Sequence, residues 1–277
     1  MSARAPSLEA ELARTGIGGA IIALLLFPVY WMVNASFQPH AALLALQPPL
    51  FPDPPILTGY VNAFRTQGAN ILTSIAIASA TTVLSLTLAA PFAYALVNFR
   101  IRGTMFLVFL MLVVQMIPNI VMANALYAIF AKLGLLNTYA GLVMADSTVA
   151  VPFSILILRA FMASLPRSLT EAALVDGAGY WQAFLQIILP ISRNGLITAG
   201  IFSFLFAWSD FMFALTMVTT QKSVPITLGI YQYIGAHDTD WNSVMATAVI
   251  ASAPPILLLL FGQNYVTAGL TGGAVKE

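Results

Sequence analysis

The sequence predicts an all-α, polytopic membrane protein with six transmembrane helices and one long polar connection on the inner side. Three observations carry this. Of 277 residues, 60% are hydrophobic and 8% charged, and the mean hydropathy is strongly positive. Soluble domains are about a quarter charged, so this chain cannot clothe a water-facing surface of ordinary size. Six stretches each reach the roughly 20 apolar residues needed to cross a hydrocarbon core about 30 Å thick. Threaded with the N-terminus inside, Arg4, Arg14, Arg100, Arg102, Arg159, Arg167, Arg193 and Lys276 fall on the inner side. Arg65, Lys132 and Lys222 then fall outside, which satisfies the positive-inside rule that the inverted arrangement breaks. Both termini are therefore expected in the cytoplasm.

The first span runs from Gly16 to Val33. Arg14 before it and Val33-Asn34-Ala35 after it resemble a cleavable signal, but the run is long for one and five more spans follow. An external loop runs from Phe37 to about residue 69; its Pro39, Pro48, Pro49, Pro52, Pro54 and Pro55 predict a largely extended chain. The second span, Ile71 to Val97, holds Pro91, and the third, Met105 to Phe130, holds Pro118; each proline should kink its helix. Leu142 to Leu158, Leu196 to Val218 and Val244 to Phe261 complete the set. The whole chain, 1–277, reads as one transmembrane domain. With no cysteine it offers no disulfide, zinc–thiolate or iron–sulfur chemistry, and no metal site is expected. The net charge of +1 with no basic run gives no footing for nucleic acid. No internal repeat supports a doubled-repeat secondary transporter.

The longest inner connection, Arg159 to Asn194, is also the most polar stretch on that side. Ser164-Leu165-Pro166 should end the fourth span, because the residue before a proline is pushed out of helix. Ser168 or Thr170 can then cap a helix over Leu169–Asp176, with Glu171 favourable in its first turn. Gly177 and Gly179 break it, and a second amphipathic segment, Tyr180 to Ile188, should end at Pro190. A short helix with small residues Ala172 and Ala173 and an acidic edge suits the groove of a partner protein. It also suits a connector lying on the lipid surface, and the physics alone does not separate the two.

Glu171-Ala172-Ala173, Gly177 after three intervening residues, and then Ile187, Leu189 and Pro190 resemble the EAA loop of ATP-binding-cassette importer permeases. Residues 165–190 would form this loop and about 70–265 the importer core. Ala172–Ala178, Gln186–Pro190, Ala207-Trp208-Ser209-Asp210-Phe211 and the tail Gly269–Lys276 resemble the carbohydrate branch, in particular the smaller permease of maltose-type systems. The resemblance implies a cytoplasmic coupling helix between spans four and five, moved by partner ATPases. Glu171, Ala172, Ala173, Asp176, Gly177, Leu189 and Pro190 would carry the coupling. It further implies a second homologous permease, two ATPase subunits and an external substrate-binding protein, around a subunit in the bacterial inner membrane. The C-terminal tail resembles tails that reach into the ATPase dimer. ATP and Mg would be bound by the partners: a phosphate-cradling loop needs Gly-Lys before Ser or Thr, and no Gly-Lys dipeptide occurs in this chain. The chain is thus expected to be a non-catalytic subunit without a cofactor of its own.

A carboxylate at the bilayer centre costs about 2.5–3.5 kcal/mol even on lenient scales, so Asp146 and Asp210 should face protein or water. At 1.5 Å per residue they lie about 12 Å from the outer end of span four and about 21 Å up span five. Gln115 and Asn119, four apart on the third span, reach a similar height, and Trp208, Ser209 and Phe213 neighbour Asp210. Carboxylates, amides and aromatic rings suit sugar hydroxyls and sugar faces, so these residues are candidates for the solute path. Structural roles suit them equally: Asp146 bonded to Ser147, Thr148 or a neighbouring helix, and Asp210 bonded to a sister permease. The family pattern usually has an aromatic where Asp146 stands. An intramembrane aspartic protease fails for want of a Gly-x-Gly-Asp frame, and His40 and His237 both sit in external loops. An ion-coupled secondary transporter would explain the buried acids but not the inner loop.

Overall fold

The computed structural model describes residues 8–233 and 239–271. Arg4, His237 and the tail from Gly272 to Lys276 lie outside them. Every regular element described is helical: α1 Leu8–Ser36, α2 His40–Leu43, α3 Thr58–Asn98, α4 Thr104–Gln115, α5 Asn119–Leu133, α6 Tyr139–Ala163 and α7 Ser168–Val175. Next, α8 Tyr180–Ala183 passes through a π-helical turn, Phe184–Ile188, into α9 Leu189–Ile191. The rest is α10 Arg193–Ser209, α11 Met212–Met217, α12 Ile226–Gln232 and α13 Trp241–Thr271. The all-α polytopic class therefore stands.

Four stretches are long and apolar enough to cross a membrane unaided: Arg14–Ser36, Thr58–Asn98, Tyr139–Ala163 and Trp241–Tyr265. Six are reached when each of two bent pairs counts as one span. In the first pair α4 and α5 meet at 97°, where a single kinked helix was expected. Pro118 takes an extended ψ of 134° at the N-cap of α5. It has no N–H to give and excludes helix at Ile117, so the chain restarts in a new direction instead of bending. In the second pair Tyr180–Ile191 meets α10 at 77°.

Three further expectations need correction. The loop region is less extended than expected, because helix begins at Thr58 and runs unbroken through Pro91 for 41 residues. At 1.5 Å per residue that is about 60 Å, twice a hydrocarbon core. No proline follows Pro55 to hold residues 58–69 extended. The fifth span is not one helix, since α10 ends at Ser209 and Asp210 is extended with ψ 133°. Pro190 does not end the segment from Tyr180. The widened π turn before it relieves the clash between its ring and the preceding turn, and the helix runs on to Ile191.

The chain divides into two compact units, Met1–Gly68 with Gln232–Ala251, and Ala69–Tyr231 with Ser252–Glu277. In the first, the segment after α1 is tied by polar side chains. The Asn242 amide donates to the Ser36 and Gln38 carbonyls at 2.9 and 2.8 Å, and the Gln38 amide to the Pro49 carbonyl at 2.7 Å. Gly59 leaves room for Asn242, whose Oδ1 would clash with an added Cβ.

In the second unit α6 is the central helix, burying Leu142, Ala145, Ala150, Ser154, Leu158 and Met162 at helical spacing. Against it lies a stripe of small residues on α10 at four-residue intervals: Gly195, Ala199, Ser203 and Ala207, all buried. Small side chains let helices approach where lipid supplies no hydrophobic drive. A Cβ on Gly195 would come within 2.7 Å of the Phe161 ring, and the Ser154 and Ser203 hydroxyls bond at 2.8 Å. Two apolar clusters sit at the two ends of α6. One gathers Ile77, Phe130, Leu142, Phe213 and Met217; the other, named the inner cluster for the side on which the charge pattern expects it, gathers Tyr94, Leu158, Met162, Phe184 and Ile188.

Candidate functional site

The loop after α6 has two opposed faces. Turns at Ser164 and Leu165 lead into α7, whose N-cap is Arg167 without a side-chain cap bond. Neither Ser168 nor Thr170 caps it, contrary to expectation. Ser168 is already its first residue, and the Thr170 hydroxyl donates instead to Asn98 Oδ1 at 3.1 Å, at the end of α3. Thr170 and Ala173 are buried, while Leu169 packs on the inner apolar cluster. On the other side Glu171, Ala172, Val175, Asp176 and Gly177 are exposed, Val175 to 87%. The grouping follows from helical spacing: 169, 170 and 173 share one face, 171, 172 and 175 the other, while Asp176 is the C-cap residue that follows the last helical position. Ala173, expected to permit close approach of a partner, thus faces its own chain at 4% exposure. Only Ala172 of the pair is presented outward.

Gly177 ends α7 in the left-handed region, at φ 87°. Its N–H donates to the Leu174 carbonyl at 3.1 Å, and Ala178 N–H to the Ala173 carbonyl at 2.9 Å. This pair of bonds is a Schellman cap, with Gly177 closing the helix. Beyond it the Gln182 side chain accepts from Gly179 N–H at 2.9 Å. An aromatic cluster then fastens the loop to α3. The ring centroids of Tyr94 and Phe184 lie 5.0 Å apart, those of Phe99 and Tyr180 4.9 Å. The Tyr94 hydroxyl donates to the Tyr180 carbonyl at 3.3 Å. Leu189 flanks the inner cluster, and Pro190 is exposed. The residues in this anchorage that sequence reasoning missed are Asn98, Tyr94 and Tyr180. No local pattern marks them, because each acts across 72 to 86 residues of sequence.

The second site is a cavity of about 200 Å³ in the membrane-spanning region, where Asn119, Asp146, Ser209 and Asp210 converge with Val149, Phe206 and Phe213. Four of the six solute-path candidates therefore come together. Gln115 and Trp208 do not line it. Gln115 ends α4 while Asn119 begins α5, so the bend separates them, and Gln115 donates to the Val149 carbonyl at 3.0 Å. Trp208 is buried and stacked on Phe204 at 5.7 Å.

Asp210 has a structural part as well. One carboxylate oxygen accepts from Phe213 N–H at 3.3 Å and the other from Ala214 N–H at 3.1 Å, holding the start of α11. Its carbonyl accepts from the Thr227 hydroxyl. A sister permease is thus not needed to occupy this acid. Asp146 is 5% exposed. It does not take the hydroxyls suggested for it, since Ser147 donates to the Val143 carbonyl and Thr148 to the Ala145 carbonyl, both at 2.6 Å. Phe206 and Val149 were missed because nothing but tertiary placement separates them from lipid-facing neighbours. Among the described residues no cluster of three or more His, Cys, Asp or Glu side chains could hold a metal ion.

Residues 82–272 match the family described as binding-protein-dependent transport system inner membrane component. The chain is 33% identical over 266 residues to the trehalose/maltose transport system permease protein MalG of Thermococcus litoralis, covering 94% of this chain and 95% of that one. It is 32% identical over 260 residues to the trehalose transport system permease protein SugB of Mycobacterium tuberculosis, covering 92% and 94%. In fold it resembles a chain from the crystal structure of a bacterial ABC transporter that imports alginate, with a TM-score of 0.81 at 19% identity. That superposition covers 95% of this chain and 99% of the other. The spans, the loop after α6 with its EAA spacing and these matches agree: the chain belongs to the binding-protein-dependent transport system inner membrane components, as a permease subunit of an ATP-binding-cassette importer.

Proposed function

We propose that this chain forms half of the pathway by which a sugar, or a related polyhydroxylated solute, enters a bacterial cell. The carrying observation is the two-faced α7. Its buried face is held on α3 by the Thr170–Asn98 bond and the aromatic cluster that follows it, and the Schellman cap closes its end. Its outer face presents Glu171, Ala172, Val175 and Asp176 with no cover from the described residues. A helix clamped on one side and bare on the other passes a push from a partner into the spans. On this reading Glu171 and Asp176 offer carboxylates to the partner, Ala172 allows close approach, and Val175 supplies apolar contact. The partners are two ATPase subunits, which bind ATP and Mg, a second homologous permease, and an external binding protein that delivers solute. Both termini lie in the cytoplasm.

The membrane cavity gives the solute its chemistry. Asp146 and Asp210 accept hydrogen bonds from hydroxyls, Asn119 and Ser209 both accept and donate, and Phe206 and Phe213 suit the apolar face of a sugar ring. The names of relatives, which include transporters of trehalose, maltose and diacetylchitobiose, support a carbohydrate.

The test is reconstitution of the complex in proteoliposomes with its binding protein. Candidate sugars should stimulate ATP hydrolysis and accumulate inside. Retention of this chain without any ATPase partner would overturn the proposal. Because the chain has no cysteine, Val175→Cys can also be labelled selectively. Labelling only from the inner side is expected; labelling only from outside would invert the orientation.

A further inference from the structure

A second small cavity lies where α6 turns into the loop that carries α7. It measures about 150 Å³ and is lined by Leu96, Val97, Arg159, Ala163, Leu165 and Arg167. Two guanidinium groups therefore share one pocket whose other walls are apolar. Arg159 Nε is buried without a hydrogen-bond partner, which leaves a strong donor unused. Among the described residues the one ion pair within 4.0 Å joins His40 and Asp240, so no described carboxylate neutralises either arginine at that range. Two like charges in one pocket repel, and an anion between them reverses the sign of that interaction. The planar fork of arginine matches a phosphate in paired hydrogen bonds, and the volume admits a phosphate-sized group in place of several waters.

We propose that Arg159 and Arg167 form a binding site for a phosphate-class oxyanion at the corner between α6 and α7. The headgroup phosphate of an anionic lipid is the source its surroundings favour. The corner sits where α6 leaves the membrane-spanning stretch at Ala163, and Leu96, Val97 and Leu165 offer apolar contact to the part of a lipid next to its phosphate. The site rests on the orientation proposed above only in assigning it to the inner leaflet. Its consequence is regulatory: a bound lipid braces the hinge that carries α7.

The complete transporter is reconstituted in nanodiscs of phosphatidylcholine alone, of phosphatidylcholine with phosphatidylglycerol, and of phosphatidylcholine with inorganic phosphate in the buffer. Retained lipid is counted by native mass spectrometry, thermal unfolding is followed, and sugar-stimulated ATPase activity is measured in the same samples. Phosphatidylglycerol should be retained and should raise the melting temperature. R159Q combined with R167Q should lower retention about tenfold or more, since a hydrogen bond to a charged group is worth about that factor. R167Q alone, at an exposed position, should weaken it without threatening the fold. R159K keeps charge but not the fork, and should fall between wild type and R159Q. A rise caused by inorganic phosphate and abolished by the same variants would support the site with a free anion as its source. No arginine-dependent effect of either probe would overturn the proposal, as would an equal loss in R100Q, which lies outside the pocket. Absence of any lipid effect in the wild-type transporter with intact ATPase stimulation counts against this site alone; the converse counts against the transport reading alone.

Discussion

Replacing Gly177 by alanine should loosen the end of α7 without touching a neighbour. An added Cβ at this position meets nothing within 4 Å, so steric contact with the rest of the protein contributes no penalty. What remains is the backbone, at φ 87°. For an L-residue the left-handed region costs about 1–2 kcal/mol, which shifts the ratio of capped to frayed helix ends by about five- to thirtyfold. Asparagine tolerates this region and should cost less than alanine; valine, branched at Cβ, should cost more. Hydrogen exchange of the Gly177 and Ala178 amides, which donate to Leu174 and Ala173, reads the cap directly. Solute moved per ATP hydrolysed in the reconstituted complex reads its consequence. The expected order in both is Gly, then Asn, Ala and Val, with thermal stability of the membrane bundle nearly unchanged. If Ala, Asn and Val behave alike, or all match wild type, the cap does not hold the coupling helix and the reasoning fails.

The two alanines of the loop should separate cleanly. Ala172→Trp should block assembly with the ATPases in co-purification while the subunit stays folded, whereas Ala173→Leu should destabilise the subunit itself by about 1–3 kcal/mol through overpacking. Equal loss of assembly with both subunits folded would count against the two-faced helix. Asp210→Ala removes both acceptors at the start of α11 and should cost about 0.5–2 kcal/mol in unfolding experiments, with Asp210→Asn costing less. A change in transport KM in Asp210→Asn at wild-type stability would point to solute contact; unaltered transport would leave Asp210 a structural cap. Ser154 and Ser203 are the buried hydroxyl pair between α6 and α10, and a double-mutant cycle to alanine should give a coupling near the membrane-protein average of about 0.6 kcal/mol. A coupling of zero would mean that the stripe of small residues holds these helices by shape alone.

The spans were legible because lipid enforces a simple rule: a backbone without water must be helical, and its side chains must be apolar for about 20 residues. Averaged hydropathy, however, carries no direction. It reads Met105–Phe130 as one span whether the chain runs straight or turns through 97°, and Pro118 announces a missing donor without saying how far the chain will swing. The same blindness hid the break at Asp210. There a more local signal existed, since an Asp followed within four residues by two free helix-start amides is a cap pattern, and Asp210 makes both of those bonds.

The loop shows where spacing ends and packing begins. The match from Glu171 to Pro190 located it, and helical periodicity alone could have divided its faces, because Leu169 and Ala173 lie four apart beside Pro166 and away from Glu171. What periodicity could not supply is the anchorage. Asn98 and Tyr94 belong to α3 and reach the loop only because the inner cluster draws Leu158, Met162, Phe184 and Ile188 together. That cluster sits at one end of α6, and Asp146 lies farther along the same helix in the membrane cavity. A rigid α6 clamped between Ser154–Ser203 and the inner cluster therefore joins the loop to the cavity through packed side chains, with no flexible link between them. Coupling through such a body follows from its stiffness. Substitutions that soften the inner cluster should uncouple transport from ATP hydrolysis even though they touch neither solute nor nucleotide.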